Sequence, residues 1–294
     1  MPRTNRLPHF LVIGGMKCGS TTLYDDLSAQ PGVTLAEKEC NVLSRPGDTA
    51  EQTIDAYARE FGHGASSDLR GDVSTTYTML PVIDGVAERA ARVLPPSTKI
   101  VYIVREPVSR AISHHHHMHS HAGPERMAPD INDCVGTRPE LIDFGRYAMQ
   151  LEPWARAFSE RSIHVIRFED YIAAREETLA ELLRFLGASN PKVAPLSSLG
   201  SNRSASKPLI GRRWLALSAS PLYRNTLRRV TPRWVRAAAQ RALFPGAPAT
   251  YGKLSESNAE RIRRATAADC ERLRELSGRA QPLWPTNTPN ARAA

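Results

Sequence analysis

The stretch Phe10-Leu11-Val12-Ile13-Gly14-Gly15-Met16-Lys17-Cys18-Gly19-Ser20-Thr21-Thr22-Leu23 decides the fold. Its first four residues form a short apolar run bounded by glycine, the pattern of a strand buried on both faces. Two glycines, a lysine, a third glycine and three hydroxyl residues follow, and Leu23 and Leu27 then fall at helical spacing. The segment therefore reads as strand, glycine-rich turn and helix N-terminus. Such a turn directs backbone N–H groups to one point, with the positive end of the helix dipole behind them. A phosphate or sulfate fits that point, and Lys17 adds a full charge. The nucleoside-triphosphatase loop G-x-x-x-x-G-K-[ST] is excluded, because Lys17 precedes Gly19 and no Gly-Lys-Ser/Thr occurs.

A chain of 294 residues can bury a sizeable core, and its 41% apolar content suits a globular protein. No apolar run approaches the ~20 residues of a membrane span. The start, Met1 to Pro8, runs straight into the first strand with no room for a signal peptide, so a cytoplasmic protein is expected. The four cysteines, Cys18, Cys40, Cys134 and Cys270, follow neither zinc nor disulfide spacing and read as free thiols. The net charge of +9 is concentrated: no acidic residue stands between Glu181 and Glu256, where thirteen Lys and Arg residues fall. Such a block suggests an anionic partner.

Along the chain, helices are predicted over about 20–30, 51–61, 81–94, from Pro107 onward, 146–160, through Leu179–Leu186 and over 256–277. Gly187 and Gly278 close the last two, and Ser255 caps the final one. Strands are expected at 10–13, 33–35, 69–73, 99–104 and 163–168, and an exposed loop around 122–140. Continuous apolar strands alternating with helices predict an α/β fold: three layers of P-loop type, with a central, mostly parallel sheet flanked by helices. The expected organisation is a single domain over 1–294. It has a core at about 9–200, a basic helical extension or lid at about 203–250 and a C-terminal helix at about 255–278. In an open α/β sheet, ligands sit at the carboxyl ends of the strands. The loops carrying Lys17, Glu39, Ser74 and Arg105 gather there.

A second anchor follows the strand at 99–104. In Arg105-Glu106-Pro107-Val108-Ser109-Arg110-Ala111-Ile112-Ser113, an arginine at a strand end and a serine in the next helix can grip one phosphate. Without other signals, the blander reading is a surface Arg105 paired with Glu106. The orders G-x-x-K-x-G-[ST]-T and R-[DE]-P-x-x-R-x-x-S resemble the 5′-phosphosulfate and 3′-phosphate motifs of sulfotransferases. These enzymes use 3′-phosphoadenosine 5′-phosphosulfate (PAPS). Gly71-Asp72-Val73-Ser74-Thr75-Thr76-Tyr77 resembles the family segment E-K-[ST]-P-x-Y, with Asp72, Val73 and Thr75 as departures. Phe144-Gly145-Arg146-Tyr147 with Trp154, and Ile163 to Asp170, resemble later segments. The similarity runs over about residues 9–190 and is closest to the heparan-sulfate-type and bacterial carbohydrate-type branch.

The resemblance implies PAPS as donor, adenosine 3′,5′-bisphosphate (PAP) as product and no metal. It implies Lys17 as the group stabilising the leaving group, and Glu39, in the pair Lys38-Glu39, as the base. The family-blind reading of Glu39 is a solvated carboxylate paired with Lys38. The donor would be held by Lys17, Cys18, Gly19, Ser20, Thr21, Thr22, Arg105 and Ser113, with Arg203 or Lys207 reaching it from a closing loop. Asn41, Ser74, Tyr77 and His117 are the further residues expected at the acceptor, a glycan, lipid or small molecule. His115 and His119 share a helix face at a spacing zinc ligands use, but the run His114–His119 reads as helix surface with one or two residues facing the acceptor. The basic 207–244 region suggests either a solvated face or a peripheral contact with the inner membrane face. Two other readings remain open from the sequence: a P-loop small-molecule kinase, and a basic nucleic-acid or membrane-surface binding module.

Overall fold

A computed structural model describes residues 6–62, 68–122, 126–189, 191–196 and 252–284. The strands are β1 (Phe10–Val12), β2 (Val33–Leu35), β3 (Leu69–Val73), β4 (Lys99–Val104) and β5 (Ile163–Arg167). The first four helices are α1 (Ser20–Ser28), α2 (Ala50–Glu60), α3 (Val86–Val93) and α4 (Pro107–Ala122). They are followed by α5 (Glu140–Asp143), α6 (Tyr147–Ala157), α7 (Phe168–Ala173), α8 (Arg175–Phe185) and α9 (Glu256–Leu276).

The strands form one five-stranded sheet in the order β2-β3-β1-β4-β5, with every described pairing parallel. β1 is central: Phe10 registers with Gly71 on one side and Lys99 on the other. Its residues and Ile100 to Val104 of β4 are buried, as continuous apolar strands covered on both faces must be. This topology brings the loops after β1, β3 and β4 side by side at one end of the sheet.

The chain forms two compact units. One comprises Met1–Arg110, Ile142–Asn202 and Arg261–Ala294, and the other Ala111–Leu141 and Arg203–Glu260. The expected basic lid, with Arg203 and Lys207, lies outside the described residues. None of the described helices is long and apolar enough to cross a membrane.

Most predicted elements are present with shifted ends. The helix expected from 81 begins at Val86, because Gly85 precedes it in the left-handed conformation. Gly187, at φ 108°, closes α8, and the Ser255 hydroxyl accepts from the Asn258 N–H at the start of α9. The loop around 122–140 differs from expectation. Met127, Ile131, Cys134 and Val135 are buried, and a 3-10 turn forms over Ile131–Asp133. The histidines of α4 explain part of this, since His115 Nε2 donates to Ala128 O and His119 Nδ1 to Met127 O, each at 2.8 Å. His114, His115 and His119 are buried, not on the helix surface as expected.

α1 is locked by a buried ion pair. Arg175 of α8 grips Asp26 with Nε at 2.7 Å and Nη2 at 2.5 Å, and the Tyr171 hydroxyl donates to the same carboxylate. Asp26 is 1% exposed, so removing one partner strands the other away from water. Asp26→Ala is expected to cost about 3–5 kcal/mol, read as a lowered denaturation midpoint. A loss below about 1 kcal/mol, the value of an exposed pair, contradicts this role.

Burial lowers the pKa of His9, His115 and His164. The unfolded chain therefore binds these protons first as pH falls. Stability is expected to be full above about pH 7 and to erode as pH drops through about 6.5. Thermal melts between pH 7.5 and 5.5 check it, and a flat Tm across that window rules it out.

Candidate active site

The loop after β1 is shaped by its glycines. Gly19 stands at φ 91° as the residue before α1, and a Cβ there would meet the Phe168 ring at 2.5 Å. Only glycine fits both conditions. Because Gly19 has no side chain, α1 begins without a side-chain cap. The first helical bond is Leu23 N–H to Gly19 O. The amides of Ser20, Thr21 and Thr22, and their three hydroxyls, have no protein partner among the described residues. Helix N-termini in proteins are otherwise satisfied, so this cluster of donors is a candidate anion seat. The Cys18 side chain points inward: Sγ lies 3.6 Å from the Tyr147 hydroxyl, and burial pushes the thiol up to about 11.

Arg105, at the end of β4, stands beside this loop. Its Nη1 reaches Lys17 O at 3.5 Å, and its guanidinium lies 4.8 Å over the Phe168 ring. Phe168 therefore carries both Gly19 and Arg105. The expected alternative partner, Glu106, is otherwise engaged. Its carboxylate accepts from the Val108 and Ser109 N–H groups and so caps α4. Arg105 makes no ion pair among the described residues, which leaves its charge for an anion. Its backbone is pinned by Tyr147, whose hydroxyl accepts from the Arg105 N–H and donates to the Arg105 carbonyl. Glu169 adds a further tie, accepting from Glu106 N–H at 2.9 Å and Trp284 Nε1 at 3.0 Å.

Across β1, the loops after β2 and β3 are joined through a buried carboxylate. Asp72 accepts from the hydroxyls of Tyr57 at 2.8 Å, Ser74 at 2.8 Å and Tyr77. Burial raises the pKa of Asp72, against the pull of these donors. Ser74 in turn accepts from Asn41 N–H, and the Tyr77 hydroxyl accepts from Leu43 N–H, each at 3.3 Å. Asn41 Oδ1 accepts from the Thr76 hydroxyl at 2.7 Å. Ser74 and Tyr77, expected at an acceptor, are buried and spend their hydroxyls on this network. They support the loop that presents Glu39.

Glu39 is held from both sides. Its N–H bonds Val73 O at 3.1 Å, and its carboxylate receives Lys38 Nζ, Thr75 N–H and the Thr75 hydroxyl. The ion pair with Lys38 given by the family-blind reading is thus present, inside a larger clamp. Lys17 at φ 70°, Glu39 at φ 58° and Asn41 at φ 54° are the non-glycine residues with positive φ among those described. Strained residues of this kind cluster where function over-determines the backbone, and all of these lie in the two loops singled out from the sequence.

Ser113 and His117 lie on the part of α4 that belongs to the second unit. There the His117 carbonyl accepts from Ser120 and His121, and the His117 and His121 rings stand 4.2 Å apart. Among the described residues no group of three or more His, Cys, Asp and Glu comes together as a metal site. Sequence reasoning missed the roles of Phe168, Thr75 and Asp72. Thr75 carried a signal, since it replaces a proline that has no N–H to give.

Comparison with known proteins agrees with the motifs. Residues 86–201 match the family model of the sulfotransferase domain; the loop of Lys17 lies before that segment. Heparan sulfate glucosamine 3-O-sulfotransferase 5 of Mus musculus is 26% identical over 170 residues, covering 55% of this chain and 48% of that protein. Bifunctional heparan sulfate N-deacetylase/N-sulfotransferase 2 of Bos taurus is 30% identical over 200 residues, covering 62% of this chain and 22% of that protein. The chain thus spans about half or less of the relatives it matches. A sulfotransferase from Alicyclobacillus acidocaldarius shares the fold, with a TM-score of 0.63 and 20% identity over 94% of this chain and 97% of that one. The chain is distantly similar to the heparan sulfate sulfotransferases, and its sheet has the sulfotransferase fold.

Gly19→Ala tests the loop. The left-handed backbone and the Phe168 contact together are expected to cost about 1–2 kcal/mol or more in the denaturation midpoint. Binding of a pyrophosphate probe, followed by calorimetry, is expected to be lost. Unchanged affinity contradicts an anion seat at this helix start.

Proposed function

With a sulfotransferase domain segment in its sequence and the sulfotransferase fold around it, we propose that this chain is a PAPS-dependent sulfotransferase. The observation that carries the reading is the uncapped start of α1 beside an arginine that has no ion pair among the described residues. Two neighbouring features that suit anions fit a nucleotide carrying phosphate groups at its 5′ and 3′ positions. The Ser20, Thr21 and Thr22 amides and hydroxyls hold the 5′-phosphate, and Arg105 receives the 3′-phosphate through its planar fork. PAPS, when bound, supplies the activated sulfuryl group and leaves as PAP. Lys17 places its ammonium where charge grows on the leaving oxygen. Glu39 accepts the proton of the attacking hydroxyl or amine, help worth typically ~10²–10⁴-fold in rate. Phe168 and Tyr147 fix Arg105, and the Asp72 network fixes the Glu39 loop. Ser113, His117 and Arg203 remain candidates for the donor and acceptor contacts named above. The acceptor class is a carbohydrate, glycolipid or other small metabolite, supported by the glycan acceptors named in the relatives.

The test is transfer of labelled sulfur from PAPS into a cell extract, with products separated by mass. Lys17→Ala is expected to abolish transfer. Arg105→Ala is expected to raise the KM for PAPS roughly 10–100-fold, the value of a hydrogen bond to a charged group. Full turnover by the Lys17 variant sinks the assignment.

A further inference from the structure

The Glu39 carboxylate has an asymmetric set of partners. Lys38 Nζ contacts Oε1 at 2.9 Å, and Thr75 N–H contacts Oε2 at 2.9 Å. The Thr75 hydroxyl bridges both oxygens at 3.1 and 3.2 Å. A carboxylate offers about four lone-pair sites, and three donors leave about one open. The side chain is 32% exposed, so the carboxylate is accessible from outside.

The two partners differ in what they can fix. Lys38 is a flexible point charge, which supplies field without direction. Thr75 is buried and held by its neighbours: Ser74 is bonded to buried Asp72, and Thr76 to Asn41 and Ser44. Its hydroxyl has no other partner among the described residues. A rigid N–H and a rigid O–H, acting on both oxygens, set the plane of the carboxylate.

We propose that Thr75 is the positioning residue for Glu39, fixing the carboxylate so that its one open lone pair meets the hydroxyl or amine of the acceptor. This inference rests on the reading of Glu39 as proton acceptor. Thr75 touches neither donor nor acceptor; it acts through Glu39. The backbone N–H gives one contact whatever the side chain, so the hydroxyl is the part a substitution removes. A misplaced group can cost up to about 10²-fold in rate, and loss of one of the two contacts is expected to cost about tenfold.

The experiment measures initial rates of labelled sulfur transfer from PAPS into the acceptor-containing extract fraction, varied by dilution to separate kcat from KM. Thr75→Val keeps shape and N–H but loses the hydroxyl. It is expected to lower kcat about tenfold with both KM values unchanged, and Thr75→Ser is expected to restore kcat to within about twofold. In a Glu39→Gln background, Thr75→Val is expected to add no further loss, because the group it orients is gone. Thr75→Ala, which adds no bulk, replaces the valine variant if that one does not fold. Wild-type kcat from Thr75→Val, or full additivity with the slowed turnover of Glu39→Gln, overturns the role of Thr75 while Glu39 keeps its reading. Wild-type turnover by Glu39→Gln overturns the reading of Glu39 instead.

Discussion

An α-helix that starts on a glycine leaves its first amides without a side chain to accept them, and here that shortage governs the site. Gly19 is required at φ 91° and against the Phe168 ring, so no serine or aspartate can take its place as cap. The amides of Ser20, Thr21 and Thr22 then have no acceptor among the described residues, and an anion is the acceptor that the helix dipole favours. The rest of the first unit keeps this arrangement in place. Central β1 aims the loop, and the Asp26–Arg175 pair ties the helix to α8. Phe168 holds Arg105 within reach of the same loop.

A second buried group organises the other side of β1. Asp72 collects hydroxyls from α2, from the loop after β3 and from the turn that follows it, and so couples Tyr57, Ser74 and Tyr77. Buried polar groups satisfied this fully make a network rigid. Through Ser74 and Asn41 that rigidity reaches the loop of Glu39, whose backbone is strained. The polar residues of these loops are thus divided by burial: those of the Asp72 network hold the loop, and Glu39 remains partly exposed.

The parallel sheet was legible because β1 and β4 are apolar runs flanked by helical periodicity, which few other architectures accommodate. The turn into α1 was legible because glycine spacing restricts backbone geometry directly. The packing of the 122–140 loop was not, since histidine rings bound to the carbonyls of Met127 and Ala128 leave no periodic trace. Nor was the support role of Ser74 and Tyr77 legible. Spacing places a hydroxyl at a strand end, but only the fold shows that Asp72 has claimed it. Thr75 was visible as a departure from a motif, and its meaning came from the N–H and hydroxyl it turns toward Glu39.

The most direct test of the central claim is a crystal structure of the full chain with PAP. The 5′-phosphate is expected within roughly 3.2 Å of the Ser20, Thr21 and Thr22 amides, with the 3′-phosphate on the Arg105 guanidinium. A nucleotide bound away from the start of α1, or one with its two phosphates exchanged between these groups, would contradict it.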